Sequence, residues 1–231
     1  MTPHFLKRLP LETRAVLRIA MRIIAYWDDD LFAHSEQVAR ELLRLAPALS
    51  QSSSKASAEP CPEPSRRESQ SGRRNVEGEA EGHEEEWYWA GLLHDLGKVG
   101  LPTEVLHKRG ALTSQEKRVI EQHPLRGAAF LKKIGAPKVV VQGAKFHHER
   151  WDGTGYPLRF RGRQIPLIAR VLAIADVYTA LTSSCPYREG YTPAQARLEI
   201  ERNAGTQFDP QIVKQFFERR KDEGIKRKAQ E

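Results

Sequence analysis

The segment from His147 to Pro157 holds the residue types whose spacing points most directly to chemistry. It reads His-His-Glu-Arg-Trp-Asp-Gly-Thr-Gly-Tyr-Pro, so two adjacent imidazoles are followed by a glycine-rich turn that ends in proline. A second pair, His94-Asp95, follows an apolar run upstream. Mixed imidazole and carboxylate ligands suit Fe, Mn, Zn or Ni rather than Ca or Mg. The two segments together predict a metal site.

Helical periodicity brings further His and Asp side chains to inward faces. His34 shares one predicted face with Val38, Leu42 and Leu45, which recur at spacings of three and four residues. The same pattern turns the other groups inward from their own segments. Seven metal-ligand candidates result: His34, His94, Asp95, His123, His147, His148 and Asp176.

So many polar groups in one core need shared partners, because each unpaired buried group costs about 1–3 kcal/mol. Divalent metal ions would satisfy them together, and the set is too large for one ion with an open position. Two ions bridged by Asp95 fit it. Two metals about 3.5–4 Å apart can clamp a phosphate, generate hydroxide near neutral pH and stabilise a leaving oxygen. The residues therefore predict metal-assisted hydrolysis of a phosphoester.

The elements that position these residues are predicted to be helices, and the fold class is all-α. Val16, Ile19, Ile23 and Trp27 mark the expected buried face of the first helix. Thr113-x-x-Glu116 is a capping box that should open a helix running through His123. Proline marks further helix starts at positions 137, 166, 193 and 210.

Composition divides the chain into four parts. We expect residues 1–48 to form N-terminal helices that include His34, the first candidate metal ligand, and residues 87–220 to form the catalytic core. Residues 49–86 are rich in Ser, Pro, Glu and Arg, which predicts a low-complexity, disordered insertion. Residues 221–231 form a basic tail.

The 231 residues carry a formal net charge of +7, which favours an anionic partner. Two cysteines, one of them in the low-complexity segment, offer no disulfide framework and agree with a reducing cytoplasm. We find neither an apolar run long enough to span a bilayer nor the layout of a signal peptide. We expect a cytoplasmic protein with no membrane span and no nucleic-acid polymer as partner.

In order and combination, the motifs resemble those of the HD-GYP family, a branch of the HD-domain metal-dependent phosphohydrolases. The resemblance covers nearly the whole chain outside the insertion and the tail. It rests on these segments: His34-Ser35, His94-Asp95-x-Gly97-Lys98, His123-Pro124, His147 to Pro157, Ile174 to Tyr178, Pro186-Tyr187-Arg188, and Phe208-Asp209-Pro210.

The resemblance implies an HD-domain helical bundle that hydrolyses cyclic di-GMP, a bacterial second messenger, to pGpG or GMP. It implies two divalent transition-metal ions, Fe, Mn or similar. One ion would be held by His34, His94, Asp95 and Asp176, and the other by Asp95, His123, His147 and His148.

The resemblance also implies roles around the metals. Asp95 and Lys98 would be catalytic, with Lys98 near a metal-activated hydroxide or a phosphate oxygen. Arg188 would bind substrate phosphate. The loop beside the substrate would be shaped by Gly153, Gly155, Tyr156 and Pro157, and it could also dock a GGDEF-type diguanylate cyclase.

Three positions depart from the family pattern. Asp30 stands where trinuclear members carry Glu, so it is a candidate third-metal ligand with a shorter reach. Thr179 stands where many members have an Asp that pairs with the lysine. Cys185 replaces an Arg that would bind phosphate bidentately. Two alternatives therefore stay open: a phosphohydrolase acting on another cyclic dinucleotide or nucleotide, and a degenerate module that binds a signalling partner.

Overall fold

The computed structural model describes residues 10–52, 84–184 and 189–228, and for residues 46–52 and 221–228 it describes the backbone alone. Two short 3₁₀ turns, Leu96–Lys98 and Gly162–Gln164, accompany the helices of these ranges. The α-helices are α1 Leu11–Trp27, α2 Asp29–Ser52, α3 Glu84–Leu93, α4 Thr103–Leu106, α5 Ser114–Ile120, α6 His123–Lys133, α7 Lys138–Phe146, α8 Leu167–Thr182, α9 Pro193–Arg202 and α10 Pro210–Lys228. No strand occurs in the described ranges, so the predicted all-α class is confirmed.

Helix α8 lies at the centre of the bundle. Its sequence is apolar on nearly every side, which is typical of a helix surrounded by protein. It packs against α2, α7 and α9, and its side chains join those of α2, α9 and α10 in one buried cluster. Val38, Leu42 and Leu45 of α2 lie in that cluster, so the face predicted for the His34 helix is confirmed.

A second buried cluster lies where α3 meets α1, α2, α6 and α7. Trp89 of α3 is 1 % exposed and packs with Leu93, Leu131 and Val140. The two clusters share α2, α3 and α7 as neighbours. The candidate metal ligands lie in or directly after these helices and in α6 and α8, which also contribute to the clusters. The apolar packing thereby fixes the relative positions of the helices that hold them.

The face predicted for α1 was wrong. The side chains that α1 buries are Leu17, Ala20 and Ile24, whereas Ile19 is 57 % exposed and Ile23 is 45 % exposed. Both sets recur at spacings of three and four, because α1 has apolar residues around most of its circumference. Periodicity alone therefore could not select the stripe that contacts α2 and α3.

The capping box at Thr113 is confirmed, but the helix it opens is shorter than predicted. The Thr113 hydroxyl accepts from the Glu116 N–H, and the Glu116 carboxylate accepts from the Thr113 N–H at 2.7 Å. This helix, α5, ends at Ile120, and His123 begins the separate helix α6, with Pro124 in its first turn. The break lets the His123 ring turn inward independently of α5.

The predicted segment boundaries are not tested, although helices reach into two of the segments. Helix α2 continues to Ser52 and α3 begins at Glu84, so both edges of the predicted insertion are helical. Residues 53–83, its interior, lie outside the described residues. Helix α10 extends to Lys228, into the predicted basic tail. Of the helices in the described ranges, none has the length and apolar character needed to cross a membrane.

Candidate metal centre

Five helical segments bring the seven predicted ligands to one place between the helices. His34 lies on α2 and Asp176 on α8. His94 and Asp95 follow the last residue of α3, and His123 is the first residue of α6. The pair His147-His148 follows the last residue of α7. Most of these groups thus lie at helix ends, where the chain turns and neighbouring side chains can converge.

Gly97 allows the His94-Asp95 segment to approach α6 closely. A Cβ at this position would lie less than 3 Å from the His123 carbonyl and from the backbone of Gly127. Only glycine fits such a contact between two backbones. The result is that the Asp95 carboxylate reaches His123 Nε2, at 3.1 Å from Oδ1.

The ligand atoms form two adjoining groups. In each group the atoms all lie within 4.8 Å of one another. The first group is His34, His94 and Asp176; the second is Asp95, His123, His147 and His148. Asp95 borders both groups, because its Oδ2 lies 3.2 Å from His94 Nε2 while its Oδ1 faces His123. All seven predicted ligands are therefore brought together.

Backbone carbonyls fix the tautomers of three of the imidazoles. His94 Nδ1 donates to the Gly91 carbonyl at 2.7 Å, and His123 Nδ1 donates to the Ile120 carbonyl at 2.7 Å. His147 Nδ1 donates to the Ala144 carbonyl at 3.0 Å. A carbonyl can only accept, so in each neutral ring Nε2 has a free lone pair. Such carbonyl contacts orient metal-binding histidines in proteins generally.

These lone pairs converge on one another, an arrangement that suits a bound cation. His123 Nε2 and His147 Nε2 lie 3.3 Å apart, and Asp95 Oδ1 lies 3.1 Å and 3.7 Å from them. His94 Nε2 and Asp95 Oδ1 are buried and have no hydrogen-bond partner among the described residues. Acceptors facing acceptors repel unless a positive charge lies between them. The cluster is thus able to hold a metal ion.

Burial and the neighbouring charges set the protonation states. Burial lowers the pKa of His147 and lowers that of His148 further, so both rings are neutral near pH 7. Burial would raise the pKa of Asp95, but the Lys98 ammonium lowers it well below its ordinary value. Burial likewise opposes ionisation of Asp176, yet the hydrogen bond with His34 lowers its pKa. Neutral imidazoles beside ionised carboxylates are the forms that bind metals.

Lys98 contacts the centre from the 3₁₀ turn that follows Asp95. Its Nζ donates to Asp95 Oδ2 at 2.6 Å. Burial opposes a charge on this amine, but the Asp95 carboxylate outweighs the burial and raises the pKa of Lys98. The lysine is therefore an ammonium at neutral pH, about one quarter exposed at 23 % of its side-chain area.

The loop after His148 is fastened to the centre by a buried carboxylate. Glu149 is 3 % exposed, and its two oxygens accept from the Leu158 N–H at 2.7 Å and the Phe160 N–H at 3.0 Å. At Gly155 a Cβ would lie less than 3 Å from the backbone of His148, Glu149 and Arg150. The Tyr156 ring stacks on His148 with centroids 4.8 Å apart, and the Tyr156–Pro157 peptide is cis.

A cavity of about 290 Å³ opens onto the metal ligands. Its floor includes His147, His148 and Asp176, and the loop residues Gly155 and Tyr156 form one wall. Gly153, Pro157 and Lys98, which were also predicted to contact substrate, are not among the lining residues, so the substrate-binding role of the loop stays a prediction. Sequence reasoning missed several lining residues, whose only signal is their position in the fold: Lys117, Glu121, Glu149, Arg150, Thr154 and Gln207.

Four positions singled out from the sequence lie elsewhere or outside the structure. Cys185 and Arg188 lie outside the described residues, so their predicted parts in phosphate binding stay predictions. Asp30 is exposed and belongs to neither ligand group in the described part of the chain. Thr179 is 3 % exposed, and its hydroxyl has no hydrogen-bond partner in that part of the chain.

Comparison with known proteins identifies a family and several relatives. The family model of the HD domain matches residues 69–212. A cyclic di-GMP phosphodiesterase of Vibrio cholerae is 41 % identical over 137 residues, which are 56 % of this chain and 28 % of that protein. A 3'3'-cGAMP-specific phosphodiesterase of the same organism is 40 % identical over 131 residues, which are 56 % of this chain and 25 % of that protein. The chain thus spans about a quarter of the length of these curated relatives.

A solved structure shares the fold. A HDG"Y"P protein from Bdellovibrio bacteriovorus superposes with a TM-score of 0.56 at 17 % identity, covering 89 % of this chain and 60 % of that one. At this identity the likeness concerns the fold alone. It places the described helices in the same general arrangement as those of that protein.

Proposed function

The chain belongs to the HD-domain family, as its resemblance to the HD-GYP branch predicted, and we propose that it is a metal-dependent phosphodiesterase that hydrolyses cyclic di-GMP. The observation that supports this proposal is the convergence of seven imidazole and carboxylate groups, in which the Nε2 atoms of His123 and His147 face each other and Asp95 Oδ1 has no hydrogen-bond partner among the described residues. The relatives named for cyclic di-GMP hydrolysis support the substrate.

In this proposal the centre holds two divalent transition-metal ions such as Fe or Mn. His34, His94 and Asp176 would hold one ion, His123, His147 and His148 the other, and Asp95 would contact both. The ions would supply Lewis-acid activation of water and would neutralise phosphate charge. A third ion would need Asp30, whose exposed side chain lies apart from both groups.

The protein's own groups orient the reaction. Backbone carbonyls on Nδ1 hold the rings of His94, His123 and His147 in fixed tautomers, so no reorganisation is needed when ligands bind. The Lys98 ammonium lies 2.6 Å from Asp95 Oδ2, and 23 % of its side chain is exposed. It would stabilise the negative charge that grows on a phosphate oxygen during attack.

The loop pinned by Glu149 would form the substrate wall. Its backbone is held at Leu158 and Phe160, and Gly155 lies flush against the His148 and Glu149 backbone. Tyr156 then covers His148 and limits water at the edge of the centre. Gly153 and Pro157 shape the two ends of the same turn, and Arg188 is proposed to bind a phosphate from outside the described residues.

Product analysis on the metal-loaded protein tests the proposal. Protein loaded with Mn or Fe should convert cyclic di-GMP to pGpG or GMP, and His94→Ala should abolish this conversion. His107→Ala is the matched control, because His107 is 59 % exposed and belongs to neither ligand group in the described residues. Absence of turnover with Fe, Mn, Ni and Co in turn would refute the proposal.

A second candidate substrate is 3'3'-cGAMP. Relatives specific for this dinucleotide match the chain at 40 % and 45 % identity, in the same range as the cyclic di-GMP enzymes. Cys185, at the position of a phosphate-binding Arg in the HD-GYP family, is a further reason to test it. If Cys185→Arg leaves both affinity and turnover for cyclic di-GMP unchanged, that reason disappears.

The turn after His148 also offers a surface for a protein partner such as a GGDEF-type diguanylate cyclase. Leu158 is 46 % exposed beside Pro157, and Thr154 and Arg159 are exposed. A binding role of this kind would accompany hydrolysis or, in a degenerate module, replace it. A pull-down with purified diguanylate cyclase that is lost on Leu158→Asp would support it, and unimpaired turnover in that variant would separate docking from catalysis.

A further inference from the structure

We propose that Lys117 and Glu121 form a reader for one guanine base at the mouth of the cavity over the metal centre. This inference rests on the proposed function, because it assigns part of the substrate to part of the same site. The pair would distinguish guanine from adenine, which the metal ligands themselves cannot do.

The two residues come from a helix that supplies none of the seven candidate ligands. Lys117 lies in the last turn of α5 and Glu121 directly follows that helix. Both line the 290 Å³ cavity whose floor is His147, His148 and Asp176. A phosphate over that floor would place the attached nucleoside along the cavity walls. The volume suits one nucleoside end rather than a whole cyclic dinucleotide.

The other charged groups of the cavity wall are already engaged. Both oxygens of Glu149 accept from loop N–H groups. Arg150 donates from Nε to the Thr154 hydroxyl at 3.0 Å and from a terminal nitrogen to Asp152 at 3.2 Å. Lys117 Nζ and Glu121 Oε1 are 3.8 Å apart, with 69 % and 31 % of their side chains exposed. An exposed pair at this distance is worth little to stability, so both groups are free to turn toward a ligand.

The chemistry of the pair matches guanine better than adenine. The Watson–Crick edge of guanine presents one acceptor, O6, beside two donors, N1–H and N2–H. An ammonium can donate to O6 while a carboxylate accepts both N–H groups, and hydrogen bonds with charged partners are the stronger ones. Adenine presents N6–H and N1, so it offers the carboxylate a single N–H. The difference of one charge-assisted bond favours guanine.

Tyr156 provides an aromatic face next to this edge. The phenol is half-buried, and burial together with the nearby Glu121 carboxylate raises the pKa of Tyr156. The tyrosine therefore stays neutral, and it lines the same cavity as Glu121. A purine can stack on an aromatic ring whatever its identity, so the ring adds affinity and the Lys117–Glu121 pair adds selectivity.

The test is a change in substrate preference on Glu121→Gln. Glutamine offers one acceptor and one donor, which match N6–H and N1 of adenine but give up one contact with guanine. We expect kcat/KM for cyclic di-GMP to fall about tenfold relative to that for cyclic di-AMP. Because one guanine is read, the wild-type protein should also accept 3'3'-cGAMP, and should process cyclic di-AMP poorly. Dissociation constants measured on EDTA-treated protein should show the same shift without turnover.

Glu218→Gln is the matched control. Glu218 forms the same kind of pair with Lys214, i to i+4 at 3.9 Å, on α10 away from the metal ligands. It should leave the preference unchanged. A Glu121→Gln variant that affects all three dinucleotides alike, or a wild-type preference for cyclic di-AMP, overturns the guanine reader. Wild-type protein that hydrolyses none of the three refutes the proposed function instead.

Discussion

Lys98 and Asp95 are joined on one side of the metal centre by a 2.6 Å contact between Lys98 Nζ and Asp95 Oδ2. The other oxygen, Oδ1, is buried, has no hydrogen-bond partner among the described residues and lies 3.1 Å from His123 Nε2. The Asp95 carboxylate thus contacts the Lys98 ammonium through one oxygen and faces the imidazole lone pairs through the other. Substitutions of Lys98 and of Asp95 can therefore test the two contacts separately.

Lys98→Met should reduce turnover without removing the metals. Methionine retains most of the apolar stem but lacks the ammonium, so the charge that develops on the phosphate is no longer stabilised. We expect kcat to fall about 10²–10³-fold, the magnitude typical for loss of one such donor. Metal content, measured by mass spectrometry, should stay at the wild-type level because Lys98 is not a ligand.

Lys214→Met is the control for this experiment. Lys214 is 76 % exposed and pairs with Glu218 on α10 at 3.9 Å, away from the candidate metal ligands. It should keep full activity. Loss of metal in Lys98→Met, in proportion to the loss of activity, would contradict a role in charge stabilisation and would assign Lys98 to holding Asp95.

Asp95→Asn should remove both metal ions, whereas His148→Ala should remove one. Asp95 borders both ligand groups, and an amide is a weaker, uncharged ligand in place of its carboxylate. His148 belongs to the second group alone. Metal stoichiometry after dialysis distinguishes the two variants. Equal loss of metal in both would show that Asp95 does not act as the bridge.

The sequence was sufficient to predict which seven side chains would converge, because each lies on an apolar face or beside a recognisable turn. His34 follows the α2 periodicity, and Gly97 and Gly155 mark the places where backbones touch. On α1, apolar residues on most sides left the periodicity ambiguous, and Leu17, not Ile19, faces the core. Periodicity therefore predicts the buried face of a helix only where a single face is apolar.

Residues that meet only through the tertiary fold left no comparable signal. Lys117 and Glu121 look like an ordinary surface pair on an amphipathic helix, and nothing in their spacing relates them to His147. Their place in the cavity wall depends on how α5 ends and how the chain re-enters α6. Glu149 could not be predicted for the same reason. Its carboxylate accepts from the N–H groups of Leu158 and Phe160, and these contacts form only because the loop folds back, which helical periodicity does not predict.

Glu116 should make the stability of α5 depend on pH in the acid range. Hydrogen bonds from Lys108 and from the Thr113 backbone and side chain lower the pKa of Glu116 from 4.5 to about 2. A lowered pKa in the folded state means that the stabilisation is complete above pH 4.5 and is lost as the pH falls from 4.5 toward 2. Glu116→Gln should therefore lower the urea midpoint at pH 7, and the difference should shrink below pH 4.5.

Salt provides the check on this prediction. The contact between Lys108 and Glu116 lies at the surface, where salt screens charges. In 1 M NaCl the urea midpoints of Glu116→Gln and of the wild type should therefore lie closer together than at low salt. Glu12→Gln on α1 serves as the control, because it removes an exposed carboxylate outside the capping box. A difference between Glu116→Gln and wild type that is the same at pH 3 and pH 7 would refute the assignment.

Glu149→Gln should loosen the substrate loop while leaving the metal site filled. The glutamine amide can accept through only one of its two terminal atoms, so either the Leu158 or the Phe160 N–H loses its partner. Leaving one of these partly buried N–H groups unpaired should cost about 1 kcal/mol of the free energy of unfolding, or an equal cost in local opening of the loop. Hydrogen exchange at these two amides should become faster, and KM should rise more than kcat falls, since Tyr156 and Gly155 are positioned by the same loop. A fall in kcat with unchanged KM and unchanged hydrogen exchange would contradict this role and would assign Glu149 to the metal chemistry. Metal analysis of the same sample would then show a loss of bound metal, which opening of the loop alone does not cause.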